Sequence, residues 1–192
     1  MMNPHYPAPL HAALDRRPIA WRIGAILVGS WLLAASSWIE APMYPVPMTM
    51  QTYAVLLIAG VAGARLSVEI VLAWLVQAAV GLPVLAGGAG GLAPFMGPTA
   101  GYLMGFLAAA TICGWLTEQR AFRGWVAMGM VFLAGHAVIL TLGWAWLAGL
   151  TDARTAFAAG VVPFLAGSVL KTILAVATIK LADPVARRAL GG

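Results

Sequence analysis

Residues 49–82 read TMQTYAVLLIAGVAGARLSVEIVLAWLVQAAVGL, and the way this stretch divides decides the fold. Read as two short apolar segments, 49–64 and 66–82, it turns tightly at Arg65. A helix crossing the hydrocarbon core of a bilayer needs about 20 mostly apolar residues. Further segments of that kind lie at 20–39, 99–117, 124–148 and 163–182, so the count is six. No segment alternates polar and apolar residues in short, turn-separated strands, which argues against a barrel.

Composition demands lipid. Of 192 residues, 62% are hydrophobic and 9% are charged, and the mean hydropathy is +0.92. A soluble domain carries about 25% charge, so water-soluble enzymes, nucleic-acid readers and disordered regulators are excluded. The net charge of +5 is then a matter of topology, because Arg and Lys collect in cytoplasmic loops. With six spans, Arg16, Arg17, Arg22, Arg65, Arg120, Arg123, Lys180, Arg187 and Arg188 fall on one side. Glu40, Asp152 and Arg154 fall on the other, and both termini are expected in the cytoplasm. A miscount by one span breaks this alternation. The chain divides into a flexible N-terminal tail over 1–18, holding His5 and His11, a transmembrane domain over 19–185 and a C-terminal tail over 186–192. The first segment follows Arg residues as a signal peptide does, but its apolar run is long for one and its removal leaves an odd span count. Cys113, alone in an apolar run, reads as a buried small hydrophobe.

Function in such a chain is sought where polar side chains or broken backbone persist at membrane depth. Three places qualify, all at the outer ends of helices. Pro42, Pro45 and Pro47 enforce a stiff turn before Thr49 and Gln51. Residues 81–102 are rich in glycine and proline and carry no charge. They suggest a loop folded over the helix ends, whose backbone comes close to a ligand and which is able to move as a lid. Lys171, with Ser168 on the same face, sits roughly two turns into the last segment. Either it snorkels to the interface or its ammonium points inward to meet an anionic ligand. Gln77, level with the glycine loop, is a further amide within reach of a ligand. Glu69 follows Arg65 by four residues and reads as its salt-bridge partner. His136 reads as a satisfied core histidine, with a proton relay as the alternative. Trp144 and Trp146 lie near the outer end of the fifth segment, where an interfacial position is one reading and a face toward the ligand, for one of them, the other.

Catalytic chemistry is poorly supported. Gly167-Ser168-Val169-Leu170-Lys171-Thr172 lacks the glycine before lysine and the spacing of a phosphate loop, and lies on the wrong side for ATP. Ser168 and His136 lack the strained turn of a serine nucleophile. No Cys, His or carboxylate cluster has metal-ligand spacing, so neither metal nor cofactor is expected.

Five ordered motifs point further: Pro45-Val46-Pro47-Met48-Thr49-Met50-Gln51, Gly81-Leu82-Pro83-Val84, Gly87-Gly88-Ala89-Gly90-Gly91-Leu92, Gly97-Pro98-Thr99-Ala100-Gly101-Tyr102 and Gly167-Ser168-Val169-Leu170-Lys171. Over roughly residues 20–183 the chain resembles the BioY family, the biotin-binding S subunits of energy-coupling-factor (ECF) transporters. The resemblance implies an all-α polytopic bundle with six transmembrane helices, in the bacterial inner (cytoplasmic) membrane. It implies a biotin pocket near the outer surface, covered by the loops after the first and third helices. By resemblance, Lys171 matches the lysine that meets the biotin carboxylate, and Gln51, Gln77 and Tyr102 match positions near the ligand. Gly87, Gly88, Gly90 and Gly91 belong to the covering loop. Two positions depart from the pattern: Ser168 stands where many members have Asp, and Ala89 where some have a basic residue. The implied partners are a transmembrane coupling subunit and a pair of cytoplasmic ATPases, which alone use ATP; a homo-oligomer is left open. Small-xxx-small pairs on the first helix, Ser30 with Ala34 and Ala25 with Gly29, are the expected docking face, with internal helix packing as the other reading. The alternatives in function are an S subunit for another vitamin, a small integral-membrane enzyme, or a helical scaffold without ligand.

Overall fold

The computed structural model describes Leu10, Leu14, Asp15 and residues 17–191, with side chains as far as Ala182. His5, His11 and Arg16 lie outside the described residues, as does most of the expected tail 1–18; of Arg187 and Arg188 only the backbone is described. Among the described residues the regular structure is helical but for one pair of two-residue strands. In chain order it runs α1 (Ile19–Ser37), β1 (Glu40–Ala41), β2 (Met48–Thr49), α2 (Gln51–Ala79), α3 (Ala100–Glu118), α4 (Trp125–Leu150), α5 (Ala153–Gly160) and α6 (Phe164–Gly191). Five helices among the described residues are long and apolar enough to cross a membrane, with α2 counted once.

α2 is one helix only in name. Gly63 breaks it with φ 79° and ψ 174°, a backbone state essentially confined to glycine. A straight helix of 29 residues would be about 43 Å long, holding its two ends far apart. Here both ends meet. Thr49, just before α2, pairs with Glu40, while the Val84 carbonyl, just after it, accepts from the Ser37 hydroxyl and Trp74 Nε1, each at 2.9 Å. The turn at Gly63 lies at the opposite end, where the Glu118 carboxylate accepts the Ala64 N–H at 2.8 Å. Gly114 allows the close approach there, since a Cβ at that position would sit 2.6 Å from Ala64 Cα. The break falls two residues before Arg65, where the sequence placed the turn.

The hairpin of α2 is the centre of the bundle. Its buried face includes Val55, Leu66, Val71 and Trp74, packed on α3, α4 and α1. α1 turns the other way: Trp21, Val28 and Trp31 are exposed, which in lipid is the favoured surface. Pro18 precedes α1, and Asp152 caps α5 by accepting the Arg154 and Thr155 N–H groups, both at 3.0 Å. α6 stays helical through Gly191, past the start of the expected tail at 186. Ala186, Arg187, Arg188, Ala189 and Leu190 are all good helix formers.

The two ends of the bundle differ in chemistry. Arg22, Arg65, Arg120, Arg123 and Lys180 gather at the end holding the Gly63 turn. The opposite end holds the strand pair, the loop 81–99 and the start of α6.

Candidate functional site

A cavity of about 290 Å³ lies at the loop end. The turn between β1 and β2 supplies Val46 and Pro47 to its wall, and the start of α2 supplies Gln51 and Thr52. The 81–99 loop contributes Leu85, Ala86 and Ala89. Each helix then presents one face at helical spacing: Tyr102, Leu103 and Phe106 of α3, His136, Ile139 and Leu140 of α4, and Phe164, Ser168 and Lys171 of α6. The walls are mainly apolar, with a few convergent polar groups, as small-molecule sites are.

Those polar groups are held in place on one side and open on the other. Thr49 donates its hydroxyl to Gln51 Oε1 at 2.9 Å, which leaves the amide Nε2 as the free end. The Thr49 carbonyl receives Lys171 Nζ at 2.6 Å, so the lysine is folded toward the start of α2 rather than out along α6. His136 Nδ1 lies 3.1 Å from the Phe132 carbonyl and 3.1 Å from Thr172 Oγ1. Three buried side-chain atoms among the described residues have no partner: Gln51 Nε2, Thr52 Oγ1 and His136 Nε2. All three belong to residues that line this cavity. A buried polar atom without a hydrogen bond costs about 1–3 kcal/mol. Three such atoms around one cavity set it apart from the rest of the described interior.

The sequence-expected residues sort into two groups. Lys171, Ser168, Gln51 and Tyr102 come together on the cavity wall; the Tyr102 hydroxyl is spent on the Gly160 carbonyl at 2.7 Å, so this residue offers its ring. Gln77 does not join them. Its amide donates to Ser30 Oγ at 3.0 Å, because its rotation about α2 faces it toward α1. Gly87, Gly88, Gly90 and Gly91 are absent from the wall, to which the loop contributes Leu85, Ala86, Ala89, Ala93 and Pro94 among others. These glycines shape the loop instead. The Gly87 N–H donates to Glu40 Oε2 at 3.0 Å and the Gly91 N–H to the Ala78 carbonyl at 2.7 Å. A Cβ on Gly90 would sit 2.4 Å from the Leu82 carbonyl oxygen.

The structure refines three other expectations. Trp144 and Trp146 donate to the Ala153 and Gly97 carbonyls, and neither lines the cavity. Glu69 forms the expected ion pair with Arg65 at 3.7 Å and is held more closely by Arg22 of α1, at 2.9 Å from Nε. Gly29, Ser30 and Ala34 of α1 are buried, with Gly29 against Ile70 and Ser30 bonded to Gln77; Ser30 and Ala34 are taken by internal packing, while Ala25 and Gly29 border an open lateral groove. His136 is the residue the sequence undervalued: it is a core histidine on one side and a cavity group on the other. Thr52, one residue after Gln51, was not singled out at all.

A family model described as the BioY family matches residues 11–188. The chain belongs to the BioY family. Among BioY relatives, the biotin transporter BioY of Rhizobium etli is 38% identical over 165 residues, covering 79% of this chain and 83% of that protein. The biotin transporter BioY of Thermotoga maritima is 36% identical over 146 residues, covering 75% and 85%. The biotin transporter BioY2 of Lactococcus lactis subsp. cremoris is 34% identical over 151 residues, covering 78% and 82%. The fold matches a crystal structure of the S-component for biotin from an ECF-type ABC transporter, with TM-score 0.76 and 24% identity, over 88% of this chain and 95% of that one. BioY is thus a family of transporters, not of enzymes, and this chain has the fold of an S-component.

Proposed function

We propose that this protein captures biotin at the loop end of the bundle and mediates its uptake. One observation carries the reading: an ammonium, Lys171, and three unpartnered polar atoms converge on a single apolar cavity. Biotin presents matching parts, a carboxylate on an aliphatic chain and a compact ring system with a urea. The carboxylate goes to Lys171 through a charge-assisted hydrogen bond, with Ser168 one turn away on the same face. The urea goes to the amide of Gln51 and its neighbours, and the sulfur ring and alkyl chain to Phe106, Ile139 and Phe164.

The chain crosses the bacterial cytoplasmic membrane six times, the halves of α2 on either side of Gly63 each making one passage. The basic end, with both termini, faces the cytoplasm under the positive-inside rule, and the cavity faces outward. The Pro-rich turn and the 81–99 loop cover it. Uptake is energised by partners, a transmembrane coupling subunit and cytoplasmic ATPases. The partner docks elsewhere than on Ser30 and Ala34, which the bundle itself covers.

Titration of the purified protein by tryptophan fluorescence tests the reading, since eight tryptophans report on it. Saturable biotin binding that thiamine and riboflavin do not displace is expected. Displacement by either vitamin assigns the site to another ligand.

A further inference from the structure

His136 stands out among the cavity groups because its bonding defines what it offers. The residue is buried, 3% exposed, near the middle of α4. A carbonyl oxygen only accepts hydrogen bonds, so the 3.1 Å contact with Phe132 O is a hydrogen bond only with the hydrogen on Nδ1, and we assign that tautomer. Thr172 Oγ1, also 3.1 Å from Nδ1, is placed to share that hydrogen from the α6 side, so the ring sits between two helices. No Asp or Glu among the described residues lines the cavity, and an imidazolium buried without a counter-charge is costly. The ring is therefore neutral, and Nε2 carries a lone pair. That atom has no partner.

We propose that His136 Nε2 is the hydrogen-bond acceptor for a ring N–H of the ligand, and so a specificity-determining group of the pocket. The inference rests on the biotin reading above, in which the ligand's urea supplies two N–H donors. Gln51 offers the complementary function. With its Oε1 taken by Thr49, its free Nε2 donates, as a urea carbonyl requires. A donor on α2 and an acceptor on α4 together match the C=O and N–H edge of a cyclic urea. The other neutral candidates on the wall, Ser168 and Thr52, are hydroxyls that serve as donor or acceptor and discriminate less. A site with an acceptor in place rejects a ligand that lacks the N–H, because the acceptor is then left buried and unpaired.

The test uses biotin and two analogues, each methylated at one ureido nitrogen, titrated against the full-length protein and its His136→Leu variant. Biotin is expected to bind the variant about ten-fold more weakly. One of the two methylated analogues is expected to bind the wild type weakly and to lose nothing further in the variant. An affinity for biotin within two-fold of wild type overturns the proposal, as does an equal loss for biotin and both analogues, which marks a structural role. If the variant does not fold, a 15N-histidine sample of the His5→Ala, His11→Ala protein retains His136 as its one histidine signal set. Its unprotonated ring nitrogen is expected to shift when biotin is added, and an unmoved resonance overturns the proposal. Failure of the wild type to bind biotin overturns the functional reading and this inference together. Binding by the wild type with an unchanged variant removes only the inference.

Discussion

The two ends of the bundle treat buried and half-buried polar groups in opposite ways. At the basic end they are paired with one another. Glu69 holds Arg22, Glu118 takes the Ala64 N–H, Arg123 Nε reaches the Thr117 carbonyl at 3.0 Å, and Lys180 bonds the Arg123 carbonyl. At the loop end Gln51, Thr52 and His136 each keep an atom without a partner. Since a buried polar group normally finds a hydrogen bond, the difference separates closure from recognition. One end is tied shut by its own side chains, and the other leaves three polar atoms unpaired, which fits the proposed ligand site.

The strongest way to break the comparison is to remove the ammonium. Lys171→Ala is expected to weaken biotin binding by about 10- to 100-fold, the range for loss of a hydrogen bond to a charged group, about 1.5–3 kcal/mol. Lys171→Met keeps the apolar stem and should lose nearly as much, which separates charge from packing. Fluorescence titration of both variants decides it. Affinities within two-fold of wild type would return Lys171 to the role of a lysine that merely reaches for the interface.

The next effect belongs to the other end and should appear in stability alone. Gly63→Ala forces a side chain into a backbone state that only glycine adopts easily, at a cost of about 1–3 kcal/mol. Thermal unfolding in detergent should move down, while biotin affinity measured well below the transition stays within about two-fold. A large affinity loss in the folded variant would mean that the turn and the pocket are coupled across the bundle.

Which parts were legible in the sequence follows from the kind of information each required. Apolar runs between charges locate the helices, because exclusion of charge from hydrocarbon is a one-dimensional rule. Depth along a helix is also readable, at 1.5 Å per residue, and Lys171, Ser168 and Gln51 were placed by it at the level of the cavity they line. Rotation about the axis was not readable. Helices apolar on every side give no stripe that points to the interior; the depth of Gln77 is therefore legible but not its turn toward Ser30, nor the way the core histidine His136 borders the cavity. Long-range partners escape for a different reason. Arg65 lies four residues before Glu69, but Arg22, 47 residues away, is the closer partner, and only tertiary packing brings it there. The turn was found by its arginine, while the residue that makes it is the glycine two positions earlier.

The smallest expected effect makes the sharpest comparison, because it sets two glutamines of α2 against each other. Gln51 and Gln77 are chemically identical and both lie toward the loop end, yet the first keeps a free amide nitrogen in the cavity and the second donates to Ser30. Gln51→Leu removes the donor facing the ligand and should weaken biotin binding by about ten-fold, equivalent to about 1.4 kcal/mol. Gln77→Leu removes a bond between α1 and α2 and should leave affinity within two-fold of wild type. Its cost is in stability, about 0.5–1.5 kcal/mol for one internal hydrogen bond, read as an earlier unfolding transition. Ser30→Ala combined with Gln77→Leu should cost less than the sum of the two, since both changes remove the same bond. If Gln77→Leu instead weakens biotin as much as Gln51→Leu does, the amide turns into the cavity when ligand arrives, and the division between paired and reserved groups fails at that position.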